Sequence, residues 1–478
     1  MRQFLSVLLG LLFPILSFGQ KELSFRADGT FVIVQFNDTH LDGSHPAGND
    51  STFHTIETVV RKVRPDLVVL NGDIVTEKAG AKETLRALSG LLTRLETPFV
   101  LTMGNHDAEA LPKSEIYDLL EASPCYAGSR GPEALAPSMG NCYLLLKGRD
   151  GTAKRTLYFL DSNGYHPDKF VSHYDWIRFD QIAWYRKLSS SLGRKPSLMF
   201  FHIPIPEFAW TDGDGKTFGH RKEGHGDSQT INSGLFASLL DMGDVMGVFS
   251  GHNHDNDMIG INRGIALGYG RVSGHDAYGD LERGGRVIKL YEGERRFDTW
   301  IETEKGSEGV YYYPSGLNSV EEAEASYLPA LKVSPETHGV AYAYYEGRFK
   351  KTADITEGSK VNEGALPYFS IKEYPRKDHF AYKYRTLIHI PERGIYRFYT
   401  YSDDGSVLYI NGQKVVDNDG GHSSRKRERK VALEAGFHLL EVSYFEDYMG
   451  EELEVGFSSK NITPDRPLPP ALLFHPND

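Results

Sequence analysis

Pro98-Phe99-Val100-Leu101-Thr102-Met103-Gly104-Asn105-His106-Asp107 reads as an apolar strand that ends in an amide, an imidazole and a carboxylate. Such an ending sets three polar side chains where the edge of a sheet opens. Four other apolar runs end alike. The run 31–36 leads into Asp38-Thr39-His40, and 67–70 into Gly72-Asp73. The run 198–201 leads into His202, and 245–250 into Gly251-His252-Asn253-His254. Five strand ends that deliver Asp, His and Asn within one domain read as a metal site at the carboxyl edge of a sheet. Two residues apart on a strand end, Asp38 and His40 are expected to project on one side, as are His252 and His254. Imidazole with a minority of carboxylate suits Zn, Fe or Mn better than Ca²⁺ or Mg²⁺.

In this order (D-x-H, G-D, G-N-H-D, a lone His, G-H-x-H) the clusters resemble the calcineurin-like metallophosphoesterase superfamily over about residues 30–302. Phe201-His202-Ile203-Pro204-Ile205-Pro206, Asn232-Ser233-Gly234-Leu235-Phe236 and Gly268-Tyr269-Gly270-Arg271 are similar to segments of its purple-acid-phosphatase-related branch, among the non-purple members. The resemblance implies an α/β metallophosphoesterase β-sandwich, two sheets face to face with helices outside. It implies two transition-metal ions. Asp38, His40, Asp73 and His254 would hold one; Asp73, Asn105, His202 and His252 would hold the other, with Asp73 bridging. Asn105 and His106 would bind substrate phosphate, and His106 would protonate the leaving alkoxide. One position departs from the purple enzymes, where the bridging Asp is followed three residues on by a tyrosine. Here Thr76 stands there, and His40 stands where those enzymes have a glycine. Exchanging a phenolate for a neutral imidazole implies divalent Zn, Mn or Fe rather than a coloured ferric centre.

Charge counting agrees with a phosphate ester substrate. Two divalent ions bring roughly +4, two carboxylates remove 2, and a bridging hydroxide leaves about +1 facing the cleft. Paired metals can bring the pKa of bound water towards about 7 and clamp the oxygens of an in-line displacement. Around the centre, Asp107 is either a partner that orients the site or a helix-start cap. Asn232 reads as a helix cap or a cleft residue, and Arg271 and His275 as candidates for substrate contact. Polar insertions at 162–175 and 207–230 read as rims of the cleft. Their histidines, His166, His173, His220 and His225, read as surface residues.

At 478 residues the chain is long enough for two or three domains. A net charge of −12 argues against a nucleic-acid binder. Met1-Arg2-Gln3, an apolar run from Phe4 to Leu16 and small residues at Ser17 and Gly19 read as a secretory signal peptide over 1–20. The run is short of the roughly 20 residues a membrane anchor needs, so the expectation is a secreted, periplasmic or cell-surface protein, not an integral membrane one. Cys125 and Cys142 are the only cysteines. In an exported chain they suggest a disulfide closing the loop before the strand at 141–147; two unpaired buried thiols are the alternative.

Apolar strands alternate with amphipathic helices, read at 52–63, 78–95, 114–121, 176–192 and 234–242, as expected of an α/β domain over 21–302. Residues 303–335, rich in Gly, Ser, Glu and Pro, read as a linker. From 336 to 478 aromatic-rich strands alternate with turns and no helical period competes, which reads as an all-β sandwich. Tyr399-Thr400-Tyr401-Ser402-Asp403-Asp404-Gly405 through Asn411-Gly412, and Ala435-Gly436-Phe437-His438, resemble the protective-antigen-type β-sandwich, the PA-14 domain. Several members of that family bind glycans, so a glycan is the expected partner. Asp403 and Asp404 could ligate Ca²⁺, as in lectin-like members, or could be hairpin-turn residues. The basic run Arg425-Lys426-Arg427-Glu428-Arg429-Lys430 reads as a solvated strand edge. The whole reads as an exported dinuclear-metal phosphoesterase, using metal-activated hydroxide with His106 as acid, targeted by a glycan-directed sandwich. The competing reading is a catalytically idle surface adhesin that uses the metal domain as a scaffold.

Overall fold

The computed structural model describes residues 22–211, 217–223, 228–462 and 466–476. The segment read as a signal peptide and His225 lie outside them. In chain order the first domain runs β1 (Leu23–Ser24), β2 (Thr30–Phe36), α1 (Pro46–Val63), β3 (Leu67–Asn71), α2 (Ala81–Arg94) and β4 (Phe99–Thr102). It continues with α3 (Asp107–Ala110), α4 (Lys113–Glu121), β5 (Cys142–Lys147), β6 (Ala153–Phe159), α5 (Phe179–Ser191), β7 (Ser197–Phe200), α6 (Leu235–Met242) and β8 (Val245–Ser250). It closes with β9 (Ile259–Asn262), β10 (Ile265–Tyr269), β11 (Gly284–Tyr291), β12 (Phe297–Thr303), β13 (Gly306–Tyr313), β14 (Leu317–Asn318) and α7 (Ser319–Glu324).

These strands form two mixed seven-stranded sheets, ordered β1-β5-β6-β7-β8-β10-β9 and β14-β13-β12-β11-β2-β3-β4. Alternate residues of each strand face different cores. Phe31, Ile33, Leu67, Val69 and Val100 meet Leu157, Phe159, Leu198 and Phe200 from the other sheet. Val32, Val34, Phe36, Val68 and Leu70 pack outward against α1, α2 and α4. Tyr158, Met199, Val248 and Leu267 do the same against α5 and α6. Burial on both faces explains why these strands read as unbroken apolar runs rather than alternating ones. The expected sandwich with external helices is what forms.

Two expectations need correction. Cys125 and Cys142 are free and buried: Cys125 packs under the outer helices and Cys142 between the sheets. Burial pushes the Cys142 thiol up to about 11. Residues 303–335 are not all linker, because β13 pairs antiparallel with β12 and extends the second sheet. Within the first sheet, β9 and β10 form an antiparallel hairpin.

The C-terminal domain follows as β15 (Val340–Glu346), β16 (Lys360–Leu366), β17 (Phe380–Ile390), β18 (Gly394–Asp403), β19 (Ser406–Ile410) and β20 (Gln413–Asn418). Then come β21 (Arg425–Leu433), β22 (Gly436–Glu446), β23 (Glu452–Ser458), β24 (Arg466–Pro467) and β25 (Leu473–Phe474). One sheet orders β16-β15-β17-β22-β19-β20, with β25 beside β17, and the other β21-β18-β23-β24. Their inner faces share one core that includes Tyr382, Ile388, Tyr396, Phe398, Leu408, Val442 and Phe457. This is the all-β sandwich expected. No helix among the described residues is long and apolar enough to cross a membrane.

Candidate metal centre

β2, β3 and β4 lie side by side and parallel in one sheet, and β7 and β8 do so in the other. Their carboxyl ends therefore open at one edge of the sandwich, and the loops that leave them converge there. Asp38, His40 and His254 form one group whose ligand atoms lie within 4.8 Å of one another, and Asp73, His202 and His252 form another. His202 joins the two: its Nε2 is 3.1 Å from Asp73 Oδ2 and 3.7 Å from Asp38 Oδ1. The Nε2 atoms of His40 and His254 stand 3.2 Å apart.

The backbone that aims these groups differs from the strand rule. Asp38, His40, Asp73 and His252 all have positive φ, at 53°, 44°, 50° and 77°. Their side chains converge because the chain turns left-handed after each strand, a conformation found at functional sites and held by the surrounding structure. Two glycines make room for this. A Cβ on Gly72, itself at φ 86°, would enter the His202 ring, and one on Gly104 would enter Asp73. Asp107 locks the loops together, since its carboxylate accepts from the backbone N–H groups of Asp73, Ile74, Val75 and Gly104 at 2.8–3.0 Å. Burial and the adjacent Asp73 push its pKa up to about 6 against the pull of those amides. Of its two sequence readings, the orienting partner is the one that holds.

Metal ions fit these residues. Asp38 Oδ1, Asn105 Oδ1 and His202 Nε2 are buried and make no aligned hydrogen bond, although Asp38 and His202 have ionisable neighbours close by. Atoms near one another but not aimed at one another share a focus between them. The electrostatics point the same way. Burial opposes charge on Asp38 and Asp73, yet the surrounding imidazoles outweigh it, and both carboxyls stay well below their usual range. Burial would depress His202, but Asp73 and Asp38 outweigh it and push the ring up to about 10. Burial takes His40 down to about 4, and burial with the neighbouring His202 takes His252 to about 3. The pair of carboxylates thus demands positive charge, which divalent cations meet while leaving imidazoles neutral to ligate.

Around this focus, the backbone N–H of His106 donates to Asp73 Oδ1 at 2.8 Å. Its Nδ1 lies 2.7 Å from Glu109 Oε2, so Nδ1–H donates to that carboxylate and Nε2 is the ring's other nitrogen for proton exchange. The His106 and His40 rings are 5.5 Å apart. The 162–175 insertion does form a rim. The Asn105 Nδ2 donates to the Tyr165 hydroxyl at 3.1 Å, and Tyr174 stands edge-on to His252. Opposite, Tyr278 stacks on His254 at 3.9 Å and its hydroxyl donates to Glu223. His173 packs against Tyr165 and Tyr174, and His166 stacks on Trp176.

Glu109, Tyr165, Tyr174 and Tyr278 were not singled out from sequence. Only Glu109 carried a signal, three residues after His106 on a helical turn. Two candidates fall away from the cleft. Arg271 is buried, with Nε 2.9 Å from Asp257 Oδ2 and a terminal nitrogen 2.7 Å from Glu308 Oε2. His275 bonds Thr55 at 2.9 Å. Asn232 closes a turn onto the Gly234 N–H ahead of α6 and donates to Glu207. His220, the exposed partner of Asp257, belongs to the same Arg271 network.

In the C-terminal domain Asp403, Asp404 and Glu446 bring ligand atoms within 4.8 Å of one another. Ser424 N–H donates to Asp403, and His422 and Asp447 N–H donate to Asp404. Both Glu446 oxygens are buried without a partner. Burial, then Asp404 and Asp403, push Glu446 up to about 8. Three carboxylates in this arrangement fit a calcium ion. Glu446 lies 42 positions beyond Asp404 in sequence, and only the β17–β22–β19 pairing brings it there.

The model of the calcineurin-like phosphoesterase family matches residues 31–256, and that of the PA14 domain matches residues 336–467. Among curated proteins, the chain is 31% identical over 339 residues to "Probable inactive purple acid phosphatase 29" of Arabidopsis thaliana, covering 62% of this chain and 87% of that one. It is 29% identical to "Probable inactive purple acid phosphatase 14" of the same plant, covering 59% and 80%. It is 27% identical to "Phosphatase DCR2" of Saccharomyces cerevisiae, covering 63% and 58%. With its Asp, His and Asn clusters in that family's order, the chain belongs to the calcineurin-like phosphoesterases, in the branch related to purple acid phosphatases, and carries a C-terminal PA14 domain.

Proposed function

We propose that this chain is an exported phosphoesterase that hydrolyses phosphate esters at the paired site and is held to carbohydrate by its C-terminal domain. The observation that carries the reading is the complete ligand set. Asp38, His40 and His254 stand in one group and Asp73, His202 and His252 in the other, with Asn105 and His106 beside them. Zn, Fe or Mn ions bound there would supply activated water and positive charge for a phosphoryl group. Asp38 and Asp73 provide the charge that retains such ions, and Asn105 offers them a neutral oxygen. With Nδ1–H tied to Glu109, His106 acts as the imidazolium: it gives the proton on Nε2 to the leaving oxygen and is left as the neutral ring with its proton on Nδ1. Asp403, Asp404 and Glu446 would hold a calcium ion in the domain that meets the glycan.

Metal analysis of the purified chain, together with a screen of aryl phosphate mono- and diesters, tests this. The expected result is about two transition-metal ions per chain and metal-dependent hydrolysis. Asp73→Asn should lose both, because an amide cannot neutralise two cations. Full activity in metal-stripped protein or in the variant would overturn the reading. The "probable inactive" names of the plant relatives favour a second one, an idle scaffold beneath a glycan-binding module. Full metal occupancy with no ester turned over would establish that instead.

A further inference from the structure

β21 changes character halfway along. Its partner across the sheet is β18, and residues paired across a ladder point to the same face. Val431 pairs with Tyr396 and Arg429 with Phe398, and Val431, Tyr396 and Phe398 all lie in the core between the two sheets. Arg429, Arg427 and Arg425 follow at alternate positions, so they point to that same inner face. The side facing the sandwich interior therefore passes from valine to three arginines, about 6.7 Å apart along the strand. The sheets do not close there. A cleft of about 490 Å³ opens between β20 and β21, lined by Lys414, Asp417, Asp419, Arg425, Arg427 and Arg429 among others.

The carboxylates of this cleft are already engaged. Asp417 pairs with Lys414 at 2.9 Å. Asp419 accepts from the Thr352 N–H and hydroxyl. Glu428, on the opposite face of β21, pairs with Lys426 and Arg397. Arg425 donates to the neutral Asn418 side chain and the Asp419 carbonyl, and Arg429 only to a backbone carbonyl. Among the described residues, neither Arg427 nor Arg429 has a carboxylate within ion-pair distance. Guanidinium forks recognise planar or tetrahedral oxyanions through paired N–H groups, and a row of them fits a ligand whose anionic groups repeat.

We infer that the β20–β21 cleft binds an anionic glycan, one whose sugars carry carboxylate or sulfate groups. The inference builds on the carbohydrate-binding reading of this domain and gives that reading a ligand class. The chain's net charge of −12 disfavours a long polyphosphate, which would meet repulsion beyond the cleft, whereas a short anionic oligosaccharide lies within the local field. Uronate and sulfate share the chemistry, so the probes must separate them.

The test is calorimetric titration of the full chain with a heparin-derived hexasaccharide, an oligogalacturonate, a neutral cello-oligosaccharide and a short single-stranded DNA. At least one of the first two should bind, more weakly as salt rises, and the better of them names the anion. Arg427→Ala/Arg429→Ala, on an exposed strand end, should weaken that binding about tenfold or more, the loss of at least one charge-assisted contact. Ester hydrolysis and the melting temperature of the variant should match the parent chain. Neutral-glycan binding that the variant retains in full would overturn this inference and leave the general carbohydrate reading standing. Binding to no glycan would overturn both, and DNA binding as tight as the anionic glycan would reassign the cleft.

Discussion

Asn105 can present its amide to the centre in one sense only. Nδ2 donates to the Tyr165 hydroxyl, which leaves Oδ1 buried and without a hydrogen bond. Tyr165 therefore orients this amide, and with a metal bound it would fix which end of the amide meets the ion. Tyr165→Phe keeps the ring packed on Tyr174 and removes only the acceptor. The expected outcome is a 10–100-fold loss of affinity for the ion next to Asn105, the usual cost of removing an outer hydrogen-bond partner. Competition against a chelator of known affinity measures it, and an unchanged affinity would show that the amide needs no such partner. The Asp and His clusters that converge at this edge were legible in the sequence because each follows an apolar run directly. Tyr165 and Glu446 were not, because each meets its partner, 60 and 42 positions away in the sequence, only through folding.

Elements were legible where both their faces are buried. The five helices read from sequence all form, with ends displaced by up to six residues. Two of the strands not read from the sequence have little to bury. β16 is exposed along nearly its whole length, and β13 begins Gly306-Ser307-Glu308-Gly309, so each lacks the apolar run that marks a strand. Asp38 and His40 show a different failure. The alternation rule gave their convergence, yet the chain achieves it through left-handed turns held by contacts the rule does not contain. Asp107 supplies such contacts, tying the loop after β3 to the loop after β4 through four N–H groups. Asp107→Ala would strand those donors in a buried site. The expected cost is about 2–4 kcal/mol of stability, with metal occupancy falling alongside as the Asp73 loop loosens. Denaturant unfolding with and without added Zn²⁺ checks it; a variant as stable as the parent would mean the loops hold themselves.

The two domains are joined by more than a tether. Lys430 on β21 reaches Glu321 on α7 at 2.6 Å, and Lys460 reaches Glu322 at 3.1 Å. Leu317 packs with Ile395 and Ala432, and Arg393 lies 3.8 Å over the Tyr327 ring. The chain between the domains also belongs structurally to the sandwich. Leu328 N–H donates to Ala432 and its carbonyl accepts from Glu434, while Leu331 N–H donates to Phe437. Leu328 also packs against the sandwich core. A fragment starting at residue 336, where the sequence places the domain boundary, discards all three bonds and that contact. At about 1 kcal/mol for each backbone bond, the fragment 336–476 should be some 3 kcal/mol less stable than 326–476, which for a domain of this size is a melting temperature roughly 10 °C lower. Thermal melts of the two fragments in the same buffer decide it. Coincident curves would show that residues 326–335 lie on the sandwich without stabilising it, and that its boundary stands where the composition changes.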